Sequence, residues 1–133
     1  MKKSYINPAD MYATPWRFNQ AIKVSGAGSI VFVSGIVGYE PDGTLPKDIL
    51  SQAENAYANL RRIVEESGGT LADVVKTNVY VGEEYQIHRD ELREIRARFF
   101  DGDGVPATTL LRVAGFAQTG YLFEIEAIAV LAD

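Results

Sequence analysis

Apolar residues in the middle of the chain follow the spacing of an amphipathic helix. The steps between them alternate between three and four residues, which places them on one helical face. These residues are Leu50, Ala53, Tyr57, Leu60 and Val64. Asp48 is suited to cap the start of this helix, and Gly68 and Gly69 are suited to end it. The pattern therefore predicts a helix with one buried face.

A second helix is predicted over residues 84–100. Its apolar face is formed by Leu92, Ile95 and Phe99, and the Arg and Glu residues between them mark the opposite face as solvated. The alternating charges are typical of a helix surface with ion pairs rather than of an RNA-binding surface. His88, the single histidine, lies among these charges, and we expect it at the surface.

Strand patterns surround the two helices. Residues 18–24 and 30–34 are rich in apolar and β-branched side chains, and the glycines between them suit a turn, so these segments predict an antiparallel hairpin. Further strands are predicted over residues 74–81, 107–113 and 121–131. The resulting order is strand, strand, helix, strand, helix, strand, strand.

This order predicts one α/β (α+β) domain over residues 1–133, in which both helices cover one face of a mixed sheet. The last predicted strand is largely apolar on both faces, since Leu122, Ile128 and Val130 alternate with Phe123, Ile125 and Leu131. A face without helices must be buried elsewhere, and we expect a second copy of the chain to cover it. The alternative is a central strand that the domain itself covers on both faces.

The composition limits the catalytic groups and partners that the chain can have. The 133 residues include 47% hydrophobic residues, which suffices for one core, and the chain contains no cysteine, so thiolate catalysis and thiolate metal sites are excluded. A formal charge of −5 disfavours nucleic acid as a partner. We find neither a signal-peptide pattern nor an apolar run of membrane-spanning length. We therefore expect a cytoplasmic protein with no membrane partner.

Two glutamates are candidates for acid–base chemistry. Glu124 and Glu126 lie on the same face of the last predicted strand, about 7 Å apart. Desolvation and like charge could raise the pKa of one carboxyl toward neutrality. Alternatively, one glutamate is solvated and the other pairs with an arginine, and spacing alone favours this second interpretation. Ser34 and Gly35 end a predicted strand and could face a ligand, although Ser-Gly is more usual in a turn.

Ordered sequence motifs over nearly the whole chain resemble the YjgF/RidA family, also called L-PSP endoribonucleases. The segments that carry the resemblance are Val-Phe-Val-Ser-Gly at 31–35, Gly-Gly-Thr-Leu-Ala-Asp-Val-Val-Lys-Thr at 68–77, Pro-Ala-Thr-Thr at 106–109 and Phe-Glu-Ile-Glu-Ala-Ile-Ala at 123–129. Each segment is weak alone, but together and in this order they are specific.

The resemblance implies a chorismate-mutase-like fold, with two helices on a six-stranded mixed sheet. It also implies a homotrimer whose small-molecule sites lie in clefts between subunits. The implied activity is hydrolysis of reactive 2-imino or enamine acids to 2-oxo acids and ammonia, with no metal or organic cofactor. Such catalysis depends on electrostatic positioning of the substrate beside an activated water.

Four positions match the family's site. By resemblance, Ser34 is the pocket serine, and the backbone N–H of Gly35 helps to hold the substrate carboxylate. The backbone carbonyl of Leu110 would help to hold the attacking water, and Glu124 would orient that water. The resemblance thus favours the catalytic interpretation of Glu124.

Other positions depart from the family. Thr108 stands where the imino-acid deaminases have an arginine that binds the substrate carboxylate through two hydrogen bonds, and Phe18 replaces a tyrosine. The family's helix asparagine falls near Arg93, while Arg17 is a further candidate for the pocket wall. Arg112 shares a strand face with Thr108 but lies about 13 Å along the strand, too far to replace the missing arginine. These departures indicate a family branch without this arginine and favour a neutral or differently charged ligand.

Two classes of function follow. The first is a RidA-like hydrolase or deaminase that acts on a small imine, enamine or related reactive metabolite. The alternative is a non-catalytic trimer that binds a small molecule or has a regulatory role at the same clefts. An endoribonuclease is less favoured, because one histidine and a negative net charge offer neither an evident acid–base pair nor a phosphate-binding field.

Overall fold

The computed structural model describes residues 1–13, 17–26 and 28–132. In these residues six strands and two long helices follow one another, with a short 3₁₀ turn at Leu71–Asp73. The strands are β1 Lys2–Ile6, β2 Ala21–Ser25, β3 Ser29–Val37, β4 Val74–Val81, β5 Ala107–Arg112 and β6 Phe123–Leu131. The helices are α1 Ile49–Glu66 and α2 Tyr85–Phe99. The predicted α/β (α+β) class, with two helices and a mixed sheet, is confirmed.

The strands pair differently from the prediction. The described strands form a four-stranded sheet in the order β3-β6-β4-β5 and a separate two-stranded sheet of β1 and β2, rather than one six-stranded sheet. Only the pairing of β4 with β5 is parallel, which makes the larger sheet mixed. The predicted hairpin of β2 and β3 is wrong, because β2 pairs with β1 and β3 pairs with β6. Ala27, in the predicted turn, lies outside the described residues.

Helix α1 has the predicted ends. The Asp48 side chain accepts a hydrogen bond of 2.8 Å from the Ser51 backbone N–H, which satisfies one of the donors left open at the start of a helix. Gly68 follows the helix with a φ of +91°, in the left-handed region where a glycine carries no steric penalty. These local signals position the helix along the sheet.

Both helices pack on the same face of the larger sheet. Tyr57 of α1 is the centre of an aromatic cluster, with its ring 5.4 Å from that of Phe99, 6.1 Å from that of Phe100 and 5.5 Å from that of Phe123. Burial raises the pKa of Tyr57, so its hydroxyl stays protonated. The side chains of β6 that face the helices are buried, as the two-residue period of the strand requires.

The opposite face of the sheet carries apolar side chains that no described element covers. Ile30 and Phe32 of β3 are paired with Val130 and Ile128 of β6 in register, and the Phe32 side chain is 77% exposed. We call this the open face. It agrees with the expectation that a second copy covers the sheet, and the trimer itself stays a prediction.

A buried glutamine links α1 to two loops. Gln52 is fully buried, and its Nε2 donates to the carbonyls of Pro46 and Gly120 at 2.7 and 2.8 Å. Its Oε1 accepts from the backbone N–H of Leu122 at 2.9 Å. All three partners are backbone groups, so Gln52 fixes the segment that leads into β6.

Replacement of Gln52 by Leu should lower the free energy of unfolding by about 3 kcal/mol, because one backbone N–H and two carbonyls lose their buried partner. Gln86→Leu, at an exposed position of α2, is the matched control and should change it by less than about 0.5 kcal/mol. Urea unfolding followed by circular dichroism measures both. Equal midpoints for the two variants would contradict this role of Gln52.

Candidate functional site

The sheet divides the candidate residues into two groups. Phe18, Arg93, Thr108 and Leu110 line one cleft on the helix-covered side, which we call the helix-side cleft. Glu124 faces the opposite side, because its neighbour Phe123 is buried beneath the helices and successive side chains of a strand alternate. A single chain therefore presents two half-sites on opposite faces.

The helix-side cleft has a volume of about 460 Å³. Helix α2 forms one wall, and β4 and β5 form the floor. Its apolar lining comes from Phe18, Tyr57, Val79, Val81, Leu92, Leu110 and Phe123, and its cationic lining from Arg89, Arg93 and Arg96. A cleft of this size with an apolar body and a few charged groups is typical of a small-molecule site.

Arg96 contacts Thr108, the residue at which the resemblance indicates a missing arginine. Its Nη2 donates to Thr108 Oγ1 at 3.0 Å, and Thr108 Oγ1 in turn lies 2.7 Å from the buried Thr77 Oγ1. Burial lowers the pKa of the Arg96 guanidinium, and the positive charge of Arg17 acts in the same direction. A guanidinium starts from so high a pKa that Arg96 still carries its charge at neutral pH.

Arg96 is not among the residues that the resemblance indicates, although the chain contains a signal for it. Arg89, Arg93 and Arg96 are separated by four and three residues, which is the spacing of one helical stripe. Arg96 also follows Leu92 by four residues, so it lies beside the buried face of α2. The contact of Arg96 with Thr108 depends on the packing of α2 against β5, which the sequence pattern does not specify.

Of the other candidate arginines, Arg93 lines the cleft, whereas Arg17 and Arg112 line other pockets. Arg17 donates to the backbone carbonyls of Phe100, at 2.6 Å, and of Gly102, and it lines a neighbouring cavity of about 350 Å³. Arg93 lines both cavities and also lies 3.6 Å from the carboxylate of Asp90. Arg112 is exposed and lines a different pocket, as its distance along β5 predicts.

Ser34 and Gly35 form a bulge inside β3 and do not end the strand. Two residues of β3 lie opposite one residue of β6, because Val33 pairs with Ala127 and Ile36 pairs with Ile125. A Cβ atom on Gly35 would clash with Oε1 of Glu124. The absence of a side chain at Gly35 is therefore what lets the Glu124 carboxylate pack against the β3 backbone.

Glu126 is held by neutral groups of β4. Its Oε1 accepts from Tyr80 Oη at 2.6 Å and from Asn78 Nδ2 at 3.0 Å. These bonds lower the pKa of the Glu126 carboxyl, and the bond from Tyr80 has the largest effect. The contact with Glu126 also raises the pKa of Tyr80. Glu126 is thus an ionised acceptor and not the carboxyl of raised pKa, and within the described residues its hydrogen-bond partners are neutral groups.

His88 lies on α2 with its Nδ1 3.2 Å from Oε1 of Glu91, partly exposed as expected. Within the described ranges, no three His, Asp or Glu side chains converge in a way that could hold a metal ion. No helix of the described part of the chain is both long and apolar enough to span a membrane.

Comparison with known proteins defines the class. The family model described as Endoribonuclease L-PSP matches residues 10–131. A RutC family protein from Pyrococcus abyssi is 34% identical over 114 residues, which cover 84% of each chain. The crystal structure of YyfB from Yersinia pestis, a protein of unknown function in the conserved Rid family, has a TM-score of 0.87 at 31% identity. That match covers 98% of this chain and 100% of YyfB.

RidA from an Antarctic Psychrobacter is also similar, with a TM-score of 0.70 and 29% identity over 96% of this chain and 99% of that one. The fold, two helices on one face of a mixed sheet, is the one these structures share. The chain belongs to the Endoribonuclease L-PSP family, also known as the YjgF/RidA family.

The contact between Tyr80 and Glu126 predicts a pH-dependent contribution to stability. The pKa of Glu126 is lowered in the folded state, so its stabilisation is full above the ordinary pKa of a glutamate and is lost as the pH falls through the folded-state pKa. Tyr80→Phe should therefore lower the free energy of unfolding by about 0.5–1 kcal/mol at neutral pH, since solvent screens the pair. The difference should shrink between about pH 5 and pH 3.

Urea unfolding of wild type and Tyr80→Phe at a series of pH values measures this effect. Tyr39→Phe is a matched control, because its hydroxyl bonds to Tyr121 and not to a carboxylate. A destabilisation by Tyr80→Phe that is the same at every pH would show that the charge of Glu126 plays no part.

Proposed function

We propose that this protein is a hydrolase of the RidA type, which removes ammonia from a small imine, enamine or related reactive metabolite. The observation that carries the proposal is the packing of the Glu124 carboxylate against the side-chain-free backbone of Gly35 on the open face. By resemblance, Gly35 and Glu124 are the residues that hold substrate and water. The proposed protein is a cytoplasmic homotrimer with small-molecule ligands.

The reaction needs few groups. A water molecule adds its oxygen to the carbon of the C=N bond, the nitrogen takes up protons, and ammonia leaves as the carbonyl forms. Glu124 would orient the water, with the Leu110 carbonyl as a second acceptor, while Ser34 and the Gly35 N–H would bind the substrate. Phe18 would pack on its apolar part. Such positioning supplies the orientation and electrostatic stabilisation on which this catalysis depends.

The division of the site supports a subunit interface. Glu124 on β6 and Thr108 on β5 are separated by the intervening strand β4, which amounts to about 10 Å across the sheet. They also face opposite sides. One small molecule cannot contact both in a single chain, so the proposed site combines the open-face group of one subunit with the helix-side cleft of the next.

A non-catalytic binding protein is the alternative. It is favoured by Thr108 and Phe18, which remove two polar groups that the family's deaminases use. A trimer that binds a metabolite or acts as a regulator would keep the clefts and need no oriented water. The endoribonuclease activity in the family's description gains no support from the −5 net charge.

The substitution Glu124→Gln distinguishes the hydrolase from the non-catalytic binding protein, because it removes the charge of the side chain and hardly changes its volume. With 2-imino acids generated by an amino-acid oxidase and trapped as semicarbazones, wild type should suppress semicarbazone formation. Glu124→Gln should reduce the rate of hydrolysis about 100-fold, the usual scale for loss of a positioned acid–base group. The measurement is initial rates over a panel of imino acids.

Glu126→Gln is the matched control, two residues along the same strand face, and should retain most of the activity. Wild type without activity on any imino acid, together with ligand binding that survives Glu124→Gln, would favour the binding protein. Activity that persists in Glu124→Gln would remove Glu124 from the mechanism.

A further inference from the structure

The helix-side cleft contains an unusual arrangement of charge. Arg96 is half-buried, and within the described residues one of its five N–H donors is paired, with Thr108. In the described part of the chain, the other cleft arginines, Arg89 and Arg93, both lie near Asp90, whereas Arg96 forms no ion pair with a carboxylate. Within the described residues no buried side-chain nitrogen lacks a hydrogen-bond partner, so the unpaired N–H groups of Arg96 are open to a ligand, and an anion is the partner that a partly desolvated guanidinium favours.

The hydroxyl network fixes the direction of this guanidinium. Thr77 and Thr108 lie side by side on the parallel strands β4 and β5, with their oxygens 2.7 Å apart. Thr77 is 1% exposed, so the network is anchored in the core. Because Thr108 Oγ1 accepts a hydrogen bond from Arg96, the threonine positions the guanidinium at the floor of the cleft.

Apart from Arg89 and Arg93, the rest of the cleft is mainly apolar. Phe18, Leu92, Leu110 and Phe123 line it beyond the Arg96–Thr108 contact. A ligand that fills the space therefore needs an anionic group at one end and an apolar or aromatic body. A carboxylate matches the planar fork of a guanidinium, with which it forms two parallel hydrogen bonds.

We propose that Arg96 is the anion-binding residue of this site, that Thr108 positions its guanidinium, and that the ligand is a small carboxylate with an apolar or aromatic side chain. This proposal names the substrate class of the proposed function and rests on it. The cation is supplied by helix α2 rather than by strand β5. It replaces the expectation of a neutral or differently charged ligand, which assumes that the loss of arginine at position 108 leaves no cation there.

A pair of probes with the same shape and different charge tests the proposal without catalysis. Phenylacetate and phenylacetamide differ only in the charged group. Their dissociation constants are measured by titration of the purified full-length protein, followed by NMR. Wild type should bind phenylacetate more tightly than the amide, by about ten- to hundredfold, the usual contribution of a charged hydrogen-bonded pair.

Arg96→Gln should abolish this preference, and Arg96→Lys should keep part of it, because an ammonium retains the charge but not the fork. Arg98→Gln is the matched control, since it removes the same charge from the same helix at a residue that pairs with Glu54 outside the cleft. It should leave the preference unchanged. Circular dichroism establishes that each variant is folded.

A double variant separates local geometry from net charge. In the Arg96→Gln background, Thr108→Arg should restore the preference for phenylacetate, because the cation returns from the strand side. In the wild-type background, Thr108→Arg should weaken binding, since two guanidiniums would share one place and the threonine acceptor is gone. The sign of the Thr108→Arg effect should thus reverse between the two backgrounds.

Equal affinities of wild type for the two probes, or no binding of phenylacetate up to its solubility, would overturn the proposal. So would a preference that survives Arg96→Gln, or one that Arg98→Gln removes equally. The proposed hydrolase is tested separately. A preference for phenylacetate that depends on Arg96, without imine hydrolysis, would support the role of Arg96 and reject the hydrolase. Imine hydrolysis at the full rate in Arg96→Gln would support the hydrolase and reject the role of Arg96.

Discussion

The alternation of side chains along β6 is the constraint on which the rest of the structure depends. This strand is hydrogen-bonded on both sides, to β3 and to β4, so its register fixes the larger sheet. Odd-numbered residues such as Phe123 and Ile125 are buried beneath the helices, and Glu124 and Glu126 are therefore directed to the open face. A shift by one residue would bury both carboxylates and expose the core.

The same constraint explains why fold and oligomeric state are linked in the proposed function. The helices occupy one face of the sheet and enclose the cleft with Arg96 and Thr108. The other face carries Glu124 against Gly35, beside exposed apolar side chains such as Phe32. Because a sheet keeps its two faces apart, these groups meet only if the open-face group of one copy approaches the cleft of another. Burial of the exposed apolar residues would drive such an association.

What the sequence predicted correctly is mostly local. Helix α1 begins and ends within two residues of its predicted stripe, because its cap at Asp48 and its glycine stop at Gly68 act on neighbouring residues. Strand pairing is not local, and the partner of β2 proved to be β1, whose Lys-Lys-Ser start carries little strand signal. The sequence around Ser34 predicts a strand end where the structure has a bulge, because a bulge is defined by its pairing with the opposite strand.

The resemblance indicates candidate site residues one by one but not their arrangement. Resemblance identified Glu124 and Gly35, and the structure supplies the contact that makes a glycine necessary there. Thr108, by contrast, indicates the loss of the carboxylate-binding arginine when strand β5 is considered alone. The packing of α2 on the sheet brings Arg96 to Thr108, so one strand position and one helix position together determine the charge at the floor of the cleft. A substitution at a site is therefore best judged together with the side chains that the fold brings against it, because a lost charge in one element can be restored from another.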